Sequence, residues 1–293
     1  DPDTQPELYR LPDRSHDYIV TGDTDSIFCC FGSMKREVNV DNIQKWCVDI
    51  ENFLNKDKIV EMVKKHNVDL NFNRLKLKNE LVISRGLFLA KKRYAIRVVA
   101  QEGKKVDKIN YMGVEIKRSD YPSMSKEFLT ELSQMLLKSD KVSLKKLLEY
   151  VTVKEKEFKR LILEGDKRIS RPVSYGKKFE DYKTLPQAVK AMEAWNSIMY
   201  NIHHTGAKAY MYWVMGVDLT KAPQNVIDNY QKFVKSGKKL EVIAIPDEEE
   251  RLPDYFIVDT QATLKFSFTD RYELLLKPLL LDVERKRTQV LTF

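Results

Sequence analysis

The sequence has few cysteines and no long apolar run. Its three cysteines, Cys29, Cys30 and Cys47, show neither metal-ligand spacing nor an obvious disulfide framework. We therefore expect them to be reduced and buried as small hydrophobic residues, as in a reducing cytosol. There is no stretch of about 18 apolar residues and no recognisable secretory leader, which predicts a cytoplasmic protein without a membrane span.

Internal repeats and low-complexity tracts are also absent. A hydrophobic share of 43% with 32% charged residues is typical of a folded globular protein and excludes wholesale disorder. Lys and Arg outnumber Asp and Glu by 51 to 43, a net charge of +8. This surplus fits a polyanion such as nucleic acid, although many unrelated proteins are as basic. The start at Asp1-Pro2, without Met, fits a processed product, a split-gene product or a segment of a longer chain.

The first part of the chain mixes strand and helix patterns. Residues 1–16 are polar and contain proline, which indicates a linker or an incomplete domain edge. Residues 17–31 predict a strand, a turn and a second strand. The 3.6-residue apolar spacing of residues 41–65 predicts one helix or two in succession, capped by Asp41. From 72 to 118 short strands follow, with a hairpin turn in the EGKK sequence.

Helical periodicity dominates after Pro122, interrupted by a polar, basic segment at 166–184 that we expect to be an exposed loop. The end, from about residue 240, mixes strand-like runs with an acidic loop. The whole pattern predicts an α+β fold: an antiparallel hairpin and meander with a helix, followed by a mostly helical part, with the boundary near residue 120.

The stretch YIVTGDTDSIFCCF (residues 18–31) places two carboxylates, Asp23 and Asp25, between apolar runs. Residues two apart on a strand project to the same face, so we expect the two carboxylates to lie close together. Ionised carboxylates at that distance repel unless one is protonated or a cation lies between them. Mg²⁺ takes one or two carboxylates together with phosphate oxygens and water. A DxD pattern alone leaves open both a metal site and a polar turn without function.

The stretch GLFLAKKRYAIRV (residues 86–98) places three consecutive cations between apolar runs. On a strand these cations would form a basic strip suited to phosphate contacts, which give salt-dependent affinity without sequence preference. The alternative is a solvated edge strand whose lysines prevent aggregation.

Three motifs in order resemble family B DNA polymerases. GDTDS resembles the YGDTDS motif of that family, with Thr21 in place of the usual Tyr. The KKRY stretch resembles the one whose lysines and tyrosine follow the primer–template duplex, and YMGVEIKRSDYP (111–122) resembles the segment joining palm to thumb. The likeness covers residues 17–122 well. Within the family it points to the T-even-type bacteriophage replicative polymerases, which share a KPL stretch and a short tail ending in Phe.

The resemblance implies a late palm at 17–120, a thumb at 121–288 and a clamp-binding tail at 289–293. It implies two Mg²⁺ ions, with Asp25 as the firm ligand, Asp23 in a supporting role, and Thr24 and Ser26 shaping the turn. The DNA-binding candidates are Lys91, Lys92, Arg93, Tyr94, Arg171, Ser174, Lys177, Lys178 and Lys277, and the sliding-clamp candidates are Gln289, Leu291 and Phe293. The alternatives are a solvated loop for Arg171, Ser174, Lys177 and Lys178, a snorkelling side chain for Lys277, and packing on the thumb for the tail residues.

Two motifs that the family needs are not found in this sequence: a second aspartate motif resembling DxxSLYPS and a nucleotide-binding helix resembling KxxxNSxYG. SDYPS at 119–123 follows the KKRY stretch and is rejected as the metal motif. We therefore expect the C-terminal palm and thumb of a DNA-directed DNA polymerase, with primer–template DNA, deoxynucleoside triphosphates, an N-terminal polymerase part and a sliding clamp as partners. The alternatives are a non-catalytic duplex-binding subunit with a relic palm turn, and an unrelated basic α+β protein.

Overall fold

The computed structural model describes residues 19–23, 25–31, 39–139, 143–178, 181–200, 206–273 and 275–276. These residues form helices and antiparallel sheets, so the predicted α+β class is confirmed. The chain divides into two compact units, residues 1–112 and 113–293. The palm, thumb and tail boundaries name functional parts and stay predictions.

Several predicted features lie outside the described residues. They are the linker or edge at 1–16, the turn residue Thr24, the candidate DNA contact Lys277, and the clamp candidates Gln289, Leu291 and Phe293.

The strands are β1 (Ile19–Gly22), β2 (Ile27–Cys29), β3 (Leu81–Ala90), β4 (Arg93–Gln101), β5 (Lys104–Met112), β6 (Arg171–Val173), β7 (Ala209–Val217), β8 (Val242–Pro246) and β9 (Phe256–Val258). The α-helices are α1 (Val40–Phe53), α2 (Ile59–Lys65), α3 (Ser123–Lys138), α4 (Leu144–Leu163), α5 (Gln187–Met199), α6 (Gln224–Lys235) and α7 (Thr260–Leu264). No described helix is long and apolar enough to cross a membrane.

The first unit contains two antiparallel sheets, the hairpin β1–β2 and the meander β3–β4–β5. Strand β4 lies in the middle of the meander, paired with β3 and β5, and its side chains Ile96, Val98 and Ala100 are buried. The predicted EGKK turn is confirmed: Glu102 and Gly103 both have positive φ, 48° and 79°, the backbone that a two-residue hairpin loop favours.

Helix α1 begins earlier than predicted, with its N-cap two residues before Asp41. Its N-cap is Asn39, whose side chain accepts a hydrogen bond from the N–H of Asn42 at 2.9 Å. Asp41 instead lies in the first turn, where its carboxylate is 3.0 Å from the ammonium of Lys105. A π-helical turn, Leu54–Lys58, joins α1 to α2, so of the two predicted possibilities, one helix or two in succession, the structure shows one helix interrupted by this turn.

The second unit builds a sheet in the order β6–β7–β8, with β9 pairing the other end of β7. Helix α5 packs on β7 and β8 through a cluster that includes Met192, Met211 and Ala244. The prediction of an exposed loop at 166–184 is wrong in part, because Ile169 and Ser170 are buried and Arg171–Val173 pairs with β7. A three-residue edge strand carries too short a pattern to be recognised before its partner is known.

The prediction that the cysteines are buried is also wrong. Cys29 and Cys30 are exposed, and Cys47 is half-buried, although all three are free thiols as expected. Burial is the main cause that raises the pKa of the Cys47 thiol to about 11, so this thiol stays protonated at neutral pH.

Candidate functional site

The GDTDS motif forms the tip of the β1–β2 hairpin. Gly22 faces Ile27 in the register, and the N–H of Asp23 donates to the carbonyl oxygen of Ser26 at 2.8 Å. Asp23 therefore continues the strand pairing with Ser26, whereas Asp25 belongs to the loop between them. The strand alternation that we used to bring the carboxylates together does not apply to Asp25, because the turn and not the strand sets its direction.

The two aspartates have different electrostatic surroundings. The ammonium of Lys92 lies 3.2 Å from a carboxylate oxygen of Asp23. The carboxylate of Asp25 is exposed and has no hydrogen bond or ion pair with any residue that the structure describes. The chain thus supplies its own cation to Asp23 and leaves Asp25 open to a cation from outside.

The KKRY motif is not a continuous strand, as we had expected, but a hairpin turn and the strand that follows it. Ala90 pairs with Arg93, so Lys91 and Lys92 form the two-residue loop between β3 and β4. Lys92 has φ of 60°, a left-handed conformation that costs a non-glycine residue roughly 1–2 kcal/mol. Both lysines are exposed, while Arg93 and Tyr94 open β4 and point to opposite faces of the meander.

Three aromatic rings join the two hairpins. The ring of Phe28, on β2, lies 5.3 Å from Tyr94 and 5.6 Å from Phe88, and the last two are 5.8 Å apart. We call Phe28, Phe88 and Tyr94 the aromatic triangle. Edge-on and tilted ring pairs at these distances are attractive. The triangle, with the ion pair between Lys92 and Asp23, holds the GDTDS and KKRY turns together.

A glycine makes room for the triangle. A Cβ atom on Gly86 would lie 2.6 Å from the Phe88 ring and 3.3 Å from Ile96, so any side chain here would displace that ring. Sequence reasoning missed Phe28, Phe88 and Gly86. In the sequence these positions are marked only by an apolar or small residue beside a motif, and such residues are common in all core strands.

The second basic segment lies in the other unit. A guanidinium nitrogen of Arg171 is 3.2 Å from the carboxylate of Asp120, and the guanidinium lies over the ring of Phe266. Arg118 binds the same carboxylate at 2.9 Å and is the main cause that lowers the pKa of Asp120. Arg171 thus has a carboxylate partner within its own unit. Three other candidates are exposed on the surface: Ser174, Lys177 and Lys178.

These contacts also bear on the rejected SDYPS motif. Its aspartate, Asp120, is bound by two arginines of its own unit, and this arrangement links the start of α3 to β6. Among the described residues no group of three or more histidine, cysteine, aspartate and glutamate side chains could hold a metal ion. The chemistry of Asp23 and Asp25, two hard carboxylate donors in one turn, fits part of a magnesium site.

This hairpin pair lies within the region matched by a known family. The chain belongs to DNA polymerase family B, whose family model matches residues 8–192, more than half of the chain. The predicted family is therefore confirmed.

A named relative gives the same assignment. The chain is similar to the DNA-directed DNA polymerase of Enterobacteria phage T4, with 26% identity over 167 residues. The match covers 50% of this chain but only 18% of the length of that polymerase.

Replacing Lys92 with glycine separates backbone strain from charge. Glycine relieves a left-handed cost of roughly 1–2 kcal/mol, and the lost exposed ion pair is worth roughly 0–1 kcal/mol. We therefore expect an equal or slightly higher free energy of unfolding in urea. Duplex DNA affinity should fall, and the slope of log affinity against log salt should decrease by about 1 if Lys92 contacts a phosphate.

Glu102→Gly is the matched control, because Glu102 is also a left-handed, ion-paired residue in a hairpin turn of the same meander. It should change stability in the same way and leave DNA affinity unchanged. Equal losses of DNA affinity in both variants would contradict a specific role for Lys92.

Proposed function

We propose that this chain is the part of a family B DNA polymerase that carries the DTD turn and much of the primer–template grip. In this role it acts in template-directed nucleotidyl transfer and requires a further polypeptide part for activity. The observation that carries the proposal is the meeting of the GDTDS and KKRY turns through Lys92, Asp23 and the aromatic triangle. The charged, exposed tips of two motifs that lie far apart in the sequence are therefore close together, as a single site would require.

The two carboxylates would hold Mg²⁺. Asp25 has the open carboxylate and is the better candidate for a direct ligand. Asp23 is held by its own backbone bond to Ser26 and by Lys92, which suits a supporting position. When bound, a pair of such ions stabilises the attacking and leaving oxygens of a phosphoryl transfer. The family resemblance calls for a second aspartate motif that this sequence does not contain, so the proposal includes a further carboxylate from outside this chain.

The proposed reaction joins the primer 3′-hydroxyl to the α-phosphorus of a deoxynucleoside triphosphate and releases pyrophosphate. Lys91, beside Lys92 at the exposed hairpin tip, would contact the phosphate backbone of the nascent duplex and so hold the primer end near Asp25. Tyr94 would act by packing the KKRY turn against β2. The nucleotide-binding helix would belong to the other polypeptide part.

Other DNA and protein contacts of the proposal rest on the sequence. Ser174, Lys177 and Lys178 lie on the surface of the second unit, where a phosphate could reach them, while Arg171 would have to exchange or share Asp120. Lys277 as a DNA contact and the tail residues Gln289, Leu291 and Phe293 as a sliding-clamp ligand remain proposals from the resemblance.

The test is reconstitution with primer–template DNA. The chain alone should bind duplex DNA with an affinity that falls steeply as salt rises, and it should not extend a primer. Adding the polypeptide from the same source that carries DxxSLYPS and KxxxNSxYG motifs should give extension in the presence of Mg²⁺.

Two results would contradict the proposal in different ways. Duplex binding without extension by the reconstituted enzyme would favour the non-catalytic duplex-binding subunit. Absence of any salt-sensitive duplex binding would remove the role in DNA grip altogether.

A further inference from the structure

Residues 73–80 form an exposed segment between the short 3₁₀ turn Leu70–Phe72 and the start of β3. The segment has the sequence NRLKLKNE, in which basic and apolar residues alternate. Leu75 is 59% exposed and Leu77 is 40% exposed, values that are high for leucine side chains beside a sheet. The segment is not part of the GDTDS turn or of the KKRY turn.

One edge of the segment is held by an asparagine. The side chain of Asn55, in the π-helical turn, accepts from the N–H of Leu77 at 2.8 Å and donates to the carbonyl oxygen of Leu77 at 2.7 Å. A strand residue exchanges the same pair of bonds with its neighbour in an antiparallel sheet. Asn55 thus takes the place of a neighbouring strand.

The same edge is satisfied on either side of Leu77. The N–H of Leu75 donates to the side chain of Asn73 at 2.9 Å, and the N–H of Asn79 donates to the carboxylate of Glu51 at 3.0 Å. The bond of Leu75 is local, since Asn73 lies two residues before it, whereas Asn55 and Glu51 belong to the preceding helical elements. Residues 73–80 are not part of a regular strand, and the side chains of Asn55 and Glu51 hold the segment along one edge.

The opposite edge has no partner strand. Just before β3 begins, the carbonyl oxygen of Glu80 accepts a hydrogen bond from the N–H of Glu102, the residue that follows the end of β4. Beyond that point the backbone groups of Arg74, Lys76 and Lys78 make no hydrogen bond to any described residue. We call the backbone of residues 74–78 on this side the open edge.

We propose that the open edge binds an extended segment of another polypeptide by strand addition, and that acidic and apolar residues alternate in this segment. Strand addition supplies affinity through main-chain bonds and specificity through alternate side chains. Lys76 on one face matches an acidic residue, and so do Arg74, whose guanidinium bonds only backbone carbonyls, and Lys78, which would exchange its exposed ion pair with Glu102. The leucines between them match apolar residues on the other face. This inference is independent of nucleotidyl transfer.

The side chains exclude a second copy of this chain as the occupant. Antiparallel pairing of two identical segments would place like charges opposite each other, which is destabilising. Nucleic acid is disfavoured as the occupant for two reasons. The leucines between the cations would face phosphate or water instead of apolar groups. Bases and sugars also lack the regularly spaced N–H and C=O groups that pair with a β-strand.

The test measures binding of a synthetic peptide of about eight residues that alternates glutamate and valine, labelled with a fluorophore, to the full chain. A peptide that alternates lysine and valine is the charge control. We expect the acidic peptide to bind, with an affinity that decreases as salt rises, and the basic peptide not to bind.

Lys76→Pro removes an N–H of the open edge, and Lys76→Ala is its matched control, since it removes the charge alone. Because the N–H of Lys76 bonds no described residue, the proline variant should keep the circular dichroism spectrum and melting temperature of the wild type. We expect Lys76→Pro to weaken peptide binding about tenfold or more and Lys76→Ala about twofold.

Residue-resolved hydrogen exchange of the wild type keeps the test decisive even if the proline variant does not fold. The peptide should protect the amides of residues 74, 76 and 78 and leave those of 75, 77 and 79 unchanged. Equal weakening by Lys76→Pro and Lys76→Ala, binding of the basic peptide, or an absence of protection would overturn the proposal. An absence of protection by the peptide, together with a loss of duplex DNA affinity in Lys76→Ala, would indicate that these cations bind DNA instead.

Discussion

Replacing Asp25 with asparagine is expected to reduce primer extension by the completed polymerase by at least about a thousandfold, because direct metal stabilisation of a phosphoryl-transfer transition state is worth several kcal/mol. Asparagine has nearly the same shape and keeps the turn, but it carries no negative charge for the ion. Since Asp25 makes no hydrogen bond or ion pair with the residues that the structure describes, the substitution breaks none of these contacts. Stability and duplex affinity should stay near the wild-type values. Steady-state extension assays at saturating Mg²⁺ and a filter-binding assay with duplex DNA give the two measurements.

Asp57→Asn provides the matched control. Asp57 is an exposed aspartate of the same unit, in the π-helical turn and outside the hairpin pair. Its replacement should leave both extension and DNA binding unchanged. Retention of extension by Asp25→Asn would show that Asp25 is not a metal ligand, and the two-carboxylate interpretation of the turn would then be wrong.

Replacing Phe28 with alanine is expected to lower extension by about a hundredfold, because a displacement of about 1 Å at a catalytic group has an effect of this size. Phe28 contacts both other rings of the aromatic triangle and sits on the strand that follows the turn. Its loss removes the ring contacts between the GDTDS and KKRY hairpins and leaves the exposed ion pair of Lys92 and Asp23. The loss should appear in the catalytic rate more than in the KM for the triphosphate.

Two further variants separate positioning from general destabilisation. Phe28→Leu keeps apolar contact with Phe88 and Tyr94 and should recover much of the rate. Phe72→Ala removes a ring that is 74% exposed and should change neither the rate nor the melting temperature. An equal loss of rate in Phe28→Leu and Phe28→Ala, or a loss fully accounted for by unfolding at the assay temperature, would contradict the positioning role.

The sequence determined the parts of this protein that depend on neighbouring residues. The hairpin at GDTDS, the helices after Pro122 and the turn at Glu102 and Gly103 follow from apolar spacing and turn residues, which act over one or two turns of backbone. The α+β class follows from the order of these patterns. The family followed from motifs whose residue types are fixed by chemistry, and its match over residues 8–192 confirms that inference.

Only the tertiary structure decided how these parts meet. It placed Lys92 in a turn, because the pairing of Ala90 with Arg93 and not the local β propensity sets where β3 ends. It made Arg171–Val173 a strand through pairing with β7, and it gave Asp23 a lysine partner while leaving Asp25 open. Each of these results depends on residues far apart in the chain, which no local pattern encodes. Packing and charge pairing across that distance are what set the two aspartates apart.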